Sequence, residues 1–263
     1  MFGGLLGSKQ PPGTDFGEQM LNTVAAQSIR HLFTKSDVVE VSVRCYPSSK
    51  LLQGSIDSFK MNGRGLIIRR QFEVDEMSFE TDAVAIDFGS VMSGKLRLKQ
   101  STQAVAQITL TEEAINRAFT AELVQKRLQN VDSEVLTNLS GGEPVSFRNV
   151  QVHLLPDNHV SISAETDFPN RQNIPIRLFA TLAVEKRRRI AFSDPKFDAD
   201  QVPEDMKGIA EVVSKAVAEV LDNMVDLDRF DLDGVLMRIN RLETHGKKLV
   251  FSGYAQIDHF PGT

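Results

Sequence analysis

Val150-Gln151-Val152-His153-Leu154-Leu155-Pro156-Asp157-Asn158-His159-Val160-Ser161-Ile162-Ser163-Ala164 decides the fold class. Val150, Val152 and Leu154 alternate with Gln151 and His153, the period of two that buries one face of a strand. Pro156-Asp157-Asn158 carries turn chemistry, and Val160, Ile162 and Ala164 return the chain in the same alternation. Two strands joined this tightly pair antiparallel.

The same period recurs on both sides. Toward the N-terminus, Val39, Val41, Val43 and Cys45 alternate with Glu40, Ser42 and Arg44 until Tyr46-Pro47-Ser48-Ser49 breaks the run. Ile56, Phe59 and Met61 lead to a turn or bulge at Gly63-Arg64-Gly65, and Leu66 to Arg70 extends again. Val74 to Thr81, Leu96 to Leu98 and Ala104 to Thr109 add alternation, as do Ile174 to Glu185 and Arg189 to Phe192. Val235, Met237 and Ile239 pair with Leu249, Phe251, Ala255 and Ile257 in a hairpin around His245-Gly246-Lys247.

Three helices interrupt the strands. Thr14 or Asp15 can cap the first, whose stripe of Phe16, Met20, Val24, Ile29, Leu32 and Phe33 predicts about five turns. Thr111 opens the second, with Glu112 and Glu113 in its first turn and Ile115, Phe119, Leu123 and Leu128 as its buried stripe. The stretch 132–144 reads as a connection. Pro203 precedes a third helix carrying Met206, Ile209, Val213, Val217, Val220 and Met224. No α/β alternation of the parallel type appears, so the class is α+β with antiparallel sheets.

Composition narrows the function. The 263 residues are ample for a core, and a net charge of −5 argues against a general nucleic-acid binder. One cysteine, Cys45, excludes an internal disulfide. No run of about 20 apolar residues exists to span a bilayer as a helix. Met1-Phe2-Gly3-Gly4-Leu5-Leu6-Gly7 is not a secretory leader, so the expected address is the cytoplasm, with peripheral visits to membranes. Sixteen phenylalanines, two tyrosines and no tryptophan make the interior aliphatic plus Phe.

Catalytic and cofactor signatures are missing. His31, His153, His159, His245 and His259 share no metal-ligand spacing. Gly89-Ser90-Val91-Met92-Ser93-Gly94 fails the nucleophile-elbow spacing, and neither phosphate-loop nor dinucleotide motif occurs. A calcium loop over Asp226, Asp228, Asp231, Asp233 and Gly234 would put Arg229 and Asn240 where carboxylates are needed. The acidic stretch therefore reads as a solvated loop. No catalytic residue, metal or cofactor is expected. Lys186-Arg187-Arg188-Arg189 reads either as a solvated turn or as a dock for anionic headgroups, at about 1 kcal/mol per charge near such a surface. Arg69-Arg70 and Lys95, Arg97 and Lys99 add to that dock if the fold brings them close.

One stretch carries a family likeness. It is Leu51-Leu52-Gln53-Gly54-Ser55-Ile56-Asp57-Ser58-Phe59-Lys60-Met61-Asn62-Gly63-Arg64-Gly65-Leu66, then Met77-Ser78-Phe79-Glu80-Thr81, then Ala104-Val105-Ala106-Gln107-Ile108-Thr109-Leu110-Thr111-Glu112-Glu113-Ala114-Ile115-Asn116. It resembles the LmeA-like phospholipid-binding family in its cyanobacterial form. The resemblance implies a fold related to tubular lipid-binding domains: strongly curved antiparallel sheets packed on long amphipathic helices, with an apolar groove between. It names no catalytic residue. The expected layout is a flexible segment over 1–13 and a single elongated domain over 14–263.

Three functions follow as expectations. The first is a non-enzymatic protein that binds or transfers phospholipid or another acyl lipid at a membrane surface. Phe16, Met20, Val24 and Ile29 would line the acyl tail, Lys186, Arg187, Arg188 and Arg189 would meet the headgroup, and Phe2, Leu5 and Leu6 would dip into the bilayer. Its partners would be the lipid and, transiently, an anionic membrane, with no nucleic acid. The second is a membrane-associated scaffold that binds a protein partner through strand edges and helices around a solid core. The third is a lipid hydrolase built on Ser90, Ser93 or Cys45, which requires a histidine within reach.

Overall fold

A computed structural model of the chain describes residues 16–68, 70–131, 133–169, 171–222, 224 and 234–259; at Phe16 and Gly17 it describes the backbone alone. The element order is α1 (Phe16–Arg30), β1 (Val38–Arg44), α2 (Ser49–Leu52), β2 (Ser55–Ile56), β3 (Ser58–Ile68), β4 (Phe72–Thr81), β5 (Val84–Ala85), α3 (Phe88–Met92) and β6 (Thr102–Thr111). Then come α4 (Glu112–Ala118), α5 (Glu122–Leu128), α6 (Glu134–Ser140), β7 (Phe147–Leu154), β8 (His159–Phe168), β9 (Arg171–Glu185) and β10 (Arg189–Phe197). A single 3₁₀ turn precedes α7 (Lys207–Asp222), and β11 (Val235–His245) and β12 (Lys248–Ile257) follow.

Strand makes up 48% of the chain and helix 27%, which makes it an α+β protein dominated by sheet. Six strands form the first sheet in the order β1-β3-β4-β6-β12-β11, and four form the second in the order β10-β9-β8-β7. Every pairing is antiparallel and neither sheet closes. Apolar side chains from both sheets join one contiguous core.

The opening hairpin folds as its sequence reads. Asp157 and Asn158 both have positive φ, 57° and 61°, which makes the tip a type I′ turn whose twist suits a hairpin. The β9–β10 turn has the same form, with Lys186 at 48° and Arg187 at 58°. Lysine and arginine are costly there, roughly 1 kcal/mol or more each, since a Cβ crowds the following carbonyl. Within β3, Gly65 at φ +59° kinks the strand without breaking its register on β4. A Cβ there would fall 2.1 Å from Asp37 Oδ2.

The helices differ from expectation. The two longest have 15 and 16 residues. The stretch expected as one helix from Thr111 divides into α4 and α5, seven residues each. After Ala118 the N–H groups of Phe119, Thr120 and Ala121 bond three residues back, tightening the last turn, and Ala121 then turns extended. The connection expected at 132–144 holds α6. Thr111 caps α4 by accepting from Ala114 N–H, with Glu112 and Glu113 in the first turn as read.

Each of the four edges of the two larger sheets is met in part by side chains or turns from elsewhere. On β1, the N–H groups of Val43 and Cys45 donate to Asn22 Oδ1 at 2.6 Å and Glu18 Oε1 at 2.7 Å, both from α1. On β7, Asn116 of α4 exchanges two bonds with the Val152 backbone, and Glu112 accepts from Leu154 N–H at 2.8 Å. Asp222 at the end of α7 accepts from Phe192 N–H on β10. Two turn tips of the second sheet cover β11: Asn158 meets Leu242 and Thr244, while Arg187 accepts from Ile239 N–H through its carbonyl. A bare edge invites pairing with another chain, and each of these contacts blocks it.

Glu112 sets a pH dependence. Burial pushes its carboxyl up, but the Leu154 N–H, His153 and Lys247 together outweigh burial and hold it below the ordinary value of 4.5. A carboxylate depressed in the fold stabilises it above the unfolded value and gives that up as pH falls through the folded one. The loss of stability on going from about pH 5 to about pH 3 is therefore expected to be shallower in Glu112→Gln, read from urea midpoints. At neutral pH the same variant should be about 2 kcal/mol less stable, since a charge-assisted bond is replaced.

Candidate functional site

Helix α1 packs its apolar side on one face of the first sheet. It buries Leu21, Ala25, Ser28 and Ile29, while Met20 and Val24 are half-buried against the same core. Two apolar recesses adjoin beneath it. The first is walled by Leu21, Val43, Phe59, Leu96, Leu98 and Ile257 among others. The second is walled by Ile29, Leu32, Phe59, Met77, Val235 and Ile257 among others. Phe59 and Ile257 belong to both, so the two are neighbours along one interior seam.

Val43 on β1 and Ile257 on β12 are four strand positions apart, and both line the first recess together with Phe59, Thr81 and Thr102 from the strands between, so the recess runs across the inner face of the sheet. Val235 on the edge strand β11 lines the second with Ile29. The seam is closely packed. What a water-sized body can enter in its larger recess amounts to about one water, too little for an acyl chain.

The residues singled out in the sequence fall in different places. Ile29 lines the second recess, and Met20 and Val24 stand at the flank of the helix. The side chain of Phe16, and Phe2, Leu5 and Leu6 with the whole 1–13 segment, lie outside the described residues, as do Arg69 and the acidic stretch Asp226 to Asp233. Leu21 and Ala25, absent from the expected stripe, form its centre, one residue along from Met20 and Val24.

Lys186 to Arg189 form a turn between two strands. Arg187 donates to Asn240 Oδ1 at 2.6 Å, and Arg189 pairs with Glu185 at 2.7 Å. Arg188 has a partner as well, and Lys186 is exposed. Docking onto β11 offsets the backbone cost of Lys186 and Arg187. The turn joins the two sheets, a role its charge gave no hint of.

The nucleophile candidates are engaged with backbone. Ser90 and Ser93 hydroxyls donate to the Asp87 and Ser90 carbonyls, and the Cys45 thiol to the Ser55 carbonyl. Burial, then the nearby Asp57 and Glu18 carboxylates, push the Cys45 thiol up, away from the thiolate a nucleophile needs. Among the described residues these three make no hydrogen bond to a histidine, and no three His, Cys, Asp or Glu side chains gather into a metal site. No described helix is long and apolar enough to cross a membrane.

A model described as LmeA-like phospholipid-binding matches residues 13–253, nearly the whole chain. No curated protein and no solved structure gives a significant match.

Proposed function

Because the chain belongs to the LmeA-like phospholipid-binding family, we propose that it is a non-enzymatic protein that holds a phospholipid, acyl chains inward between α1 and the first sheet, and works at a membrane surface. The observation that carries this reading is the pair of apolar recesses under α1, neighbours through Phe59 and Ile257. In the proposed tubular-lipid-binding-like arrangement, Ile29 with Met20 and Val24 would face the acyl chain as α1 lifts. Each buried CH₂ contributes about 0.8 kcal/mol, so a dozen carbons supply on the order of 10 kcal/mol. Against that stand the two bonds from Glu18 and Asn22 to β1 and the packing of Leu21, Ala25 and Ile29.

The basic turn at Lys186 to Arg189 is the weaker of the cationic surfaces offered to a headgroup, since Arg187 and Arg189 are spent on Asn240 and Glu185. Native mass spectrometry of protein purified from its own cells is expected to show phospholipid adducts. The pair Glu18→Ala with Asn22→Ala should take up fluorescent phospholipid several-fold faster by loosening α1. Lipid-free preparations that also take nothing from vesicles would overturn the proposal. The packed interior is what a scaffold protein would also show, but its strand edges, the natural docking sites for a partner, are each already bonded in part within the chain.

A further inference from the structure

The three most exposed large apolar side chains among the described residues are Tyr46 at 83%, Leu52 at 70% and Met92 at 65%. Tyr46 precedes α2, Leu52 ends it and Met92 ends α3 forty residues further on, but one small cap joins the segments that carry them. Lys50 and Tyr46 N–H both meet the Asp57 carboxylate, which ties the start of α2 to β2. Strand β2 pairs with β5. Ile86 N–H donates to the Gly54 carbonyl, and Lys99 donates through Nζ to the Gln53 carbonyl and through its backbone to that of Ala85. Asp87 N–H donates to the Arg97 carbonyl, and Lys95 N–H to that of Ser90 in α3.

Lys95-Leu96-Arg97-Leu98-Lys99 crosses this cap as an extended segment. Leu96 and Leu98 turn inward and line the first recess. Lys95, Arg97 and Lys99 are exposed, and Lys95 and Arg97 form no ion pair among the described residues. One segment thus carries tail-facing side chains on its inner side and cations on its outer side, beside three exposed apolar residues. Two of the cap's carboxylates are engaged, Asp57 with Lys50 and Asp87 with Gly89 N–H, and Asp82 stands at the β4–β5 turn.

We infer that this cap is the surface that meets an anionic phospholipid bilayer, with Tyr46, Leu52 and Met92 entering the interface and Lys95 and Arg97 on the phosphates. The inference rests on the lipid-binding reading and gives it an entrance. An exposed tyrosine beside apolar side chains suits the interfacial zone, and a few apolar residues hold a membrane stably only with basic charge added. An acidic protein partner would pair with the cations but offers no acyl chain for the apolar recess behind them. A bilayer matches both halves.

Flotation with phosphatidylcholine vesicles, with and without phosphatidylglycerol, tests this. The full chain should float with the anionic vesicles. Lys95→Ala with Arg97→Ala should lower that partitioning roughly twenty-five-fold, at about fivefold per charge. Leu52→Asp with Met92→Asp should abolish it, and Lys186→Gln should change it little. All these positions are exposed, and circular dichroism would verify folding. Cap variants that float like the wild type, or loss confined to Lys186→Gln, would overturn the inference. Wild type that takes up a soluble short-chain phospholipid, read by native mass spectrometry, but never floats would overturn docking and leave lipid binding standing. Wild type that does neither would overturn both.

Discussion

Replacing Gly253 with alanine is expected to cost about 3 kcal/mol or more. Gly253 sits on β12 opposite Ile239, where β11 carries its bulge. A Cβ there would lie 1.8 Å from the Arg238 carbonyl oxygen and 3.0 Å from Ile239 Cα. Both obstacles are backbone, so no rotamer change relieves them. The bulge is also where Ile239 N–H and Asn240 receive Arg187 from the second sheet. Pushing β11 away therefore weakens the strand pair and the join between sheets together. Urea unfolding should show a large fall in midpoint for Gly253→Ala. A fall of less than about 1 kcal/mol would mean that β11 shifts freely there.

Asn158→Ala is expected to lose about 3 kcal/mol. Asn158 Nδ2 donates to the Leu242 carbonyl at 3.0 Å, and Oδ1 accepts from Thr244 N–H at 2.9 Å. Its side-chain amide thus imitates a neighbouring strand for the edge of β11. Each lost bond costs about 1 kcal/mol, and alanine adds roughly another for a left-handed backbone. Asn158→Gly removes the bonds and spares the backbone, so it should lose only about 2 kcal/mol. Equal losses for the two variants would show that the backbone conformation contributes nothing.

The same residue marks how far the sequence could be read. Pro156-Asp157-Asn158 announced a turn because its chemistry is local. The partners of Asn158 lie 84 and 86 residues away, and no local pattern points to them. The edge-covering residues Glu18, Asn22, Asn116 and Asp222 looked like ordinary polar positions for the same reason. Leu123 extended the four-residue spacing of Ile115 and Phe119, which read as one helix; the backbone tightens after Ala118, and Leu123 is 52% exposed. The stripe expected for the first helix was legible in part: Ile29 and Phe33 are buried as expected, but Leu21 and Ala25 hold the core positions next to Met20 and Val24, which are only half-buried.

For the site, the basic run was visible and its use was not. Charge density drew attention to Lys186 to Arg189, but their hydrogen bonds depend on where β11 arrives. Tyr46 and Leu52 are forty residues or more from Met92, and the pairing of β2 with β5 and the hydrogen bonds around it gather their segments. The family likeness was legible because Leu51 to Asn116 holds β3, β4, β6 and the start of α4 almost whole.

Strand β6 has β4 on one side and β12 on the other. During synthesis these neighbours arrive at different times. Strand β4 is already made when β6 emerges, but everything from Glu112 to Lys247 must be translated before β12 exists. At ordinary elongation rates that wait is on the order of ten seconds. Throughout it, a ten-residue strand, half of it apolar, keeps an open edge in a crowded cell. The late hairpin thus makes the nascent chain a natural client for chaperones at the ribosome, whatever the finished protein carries.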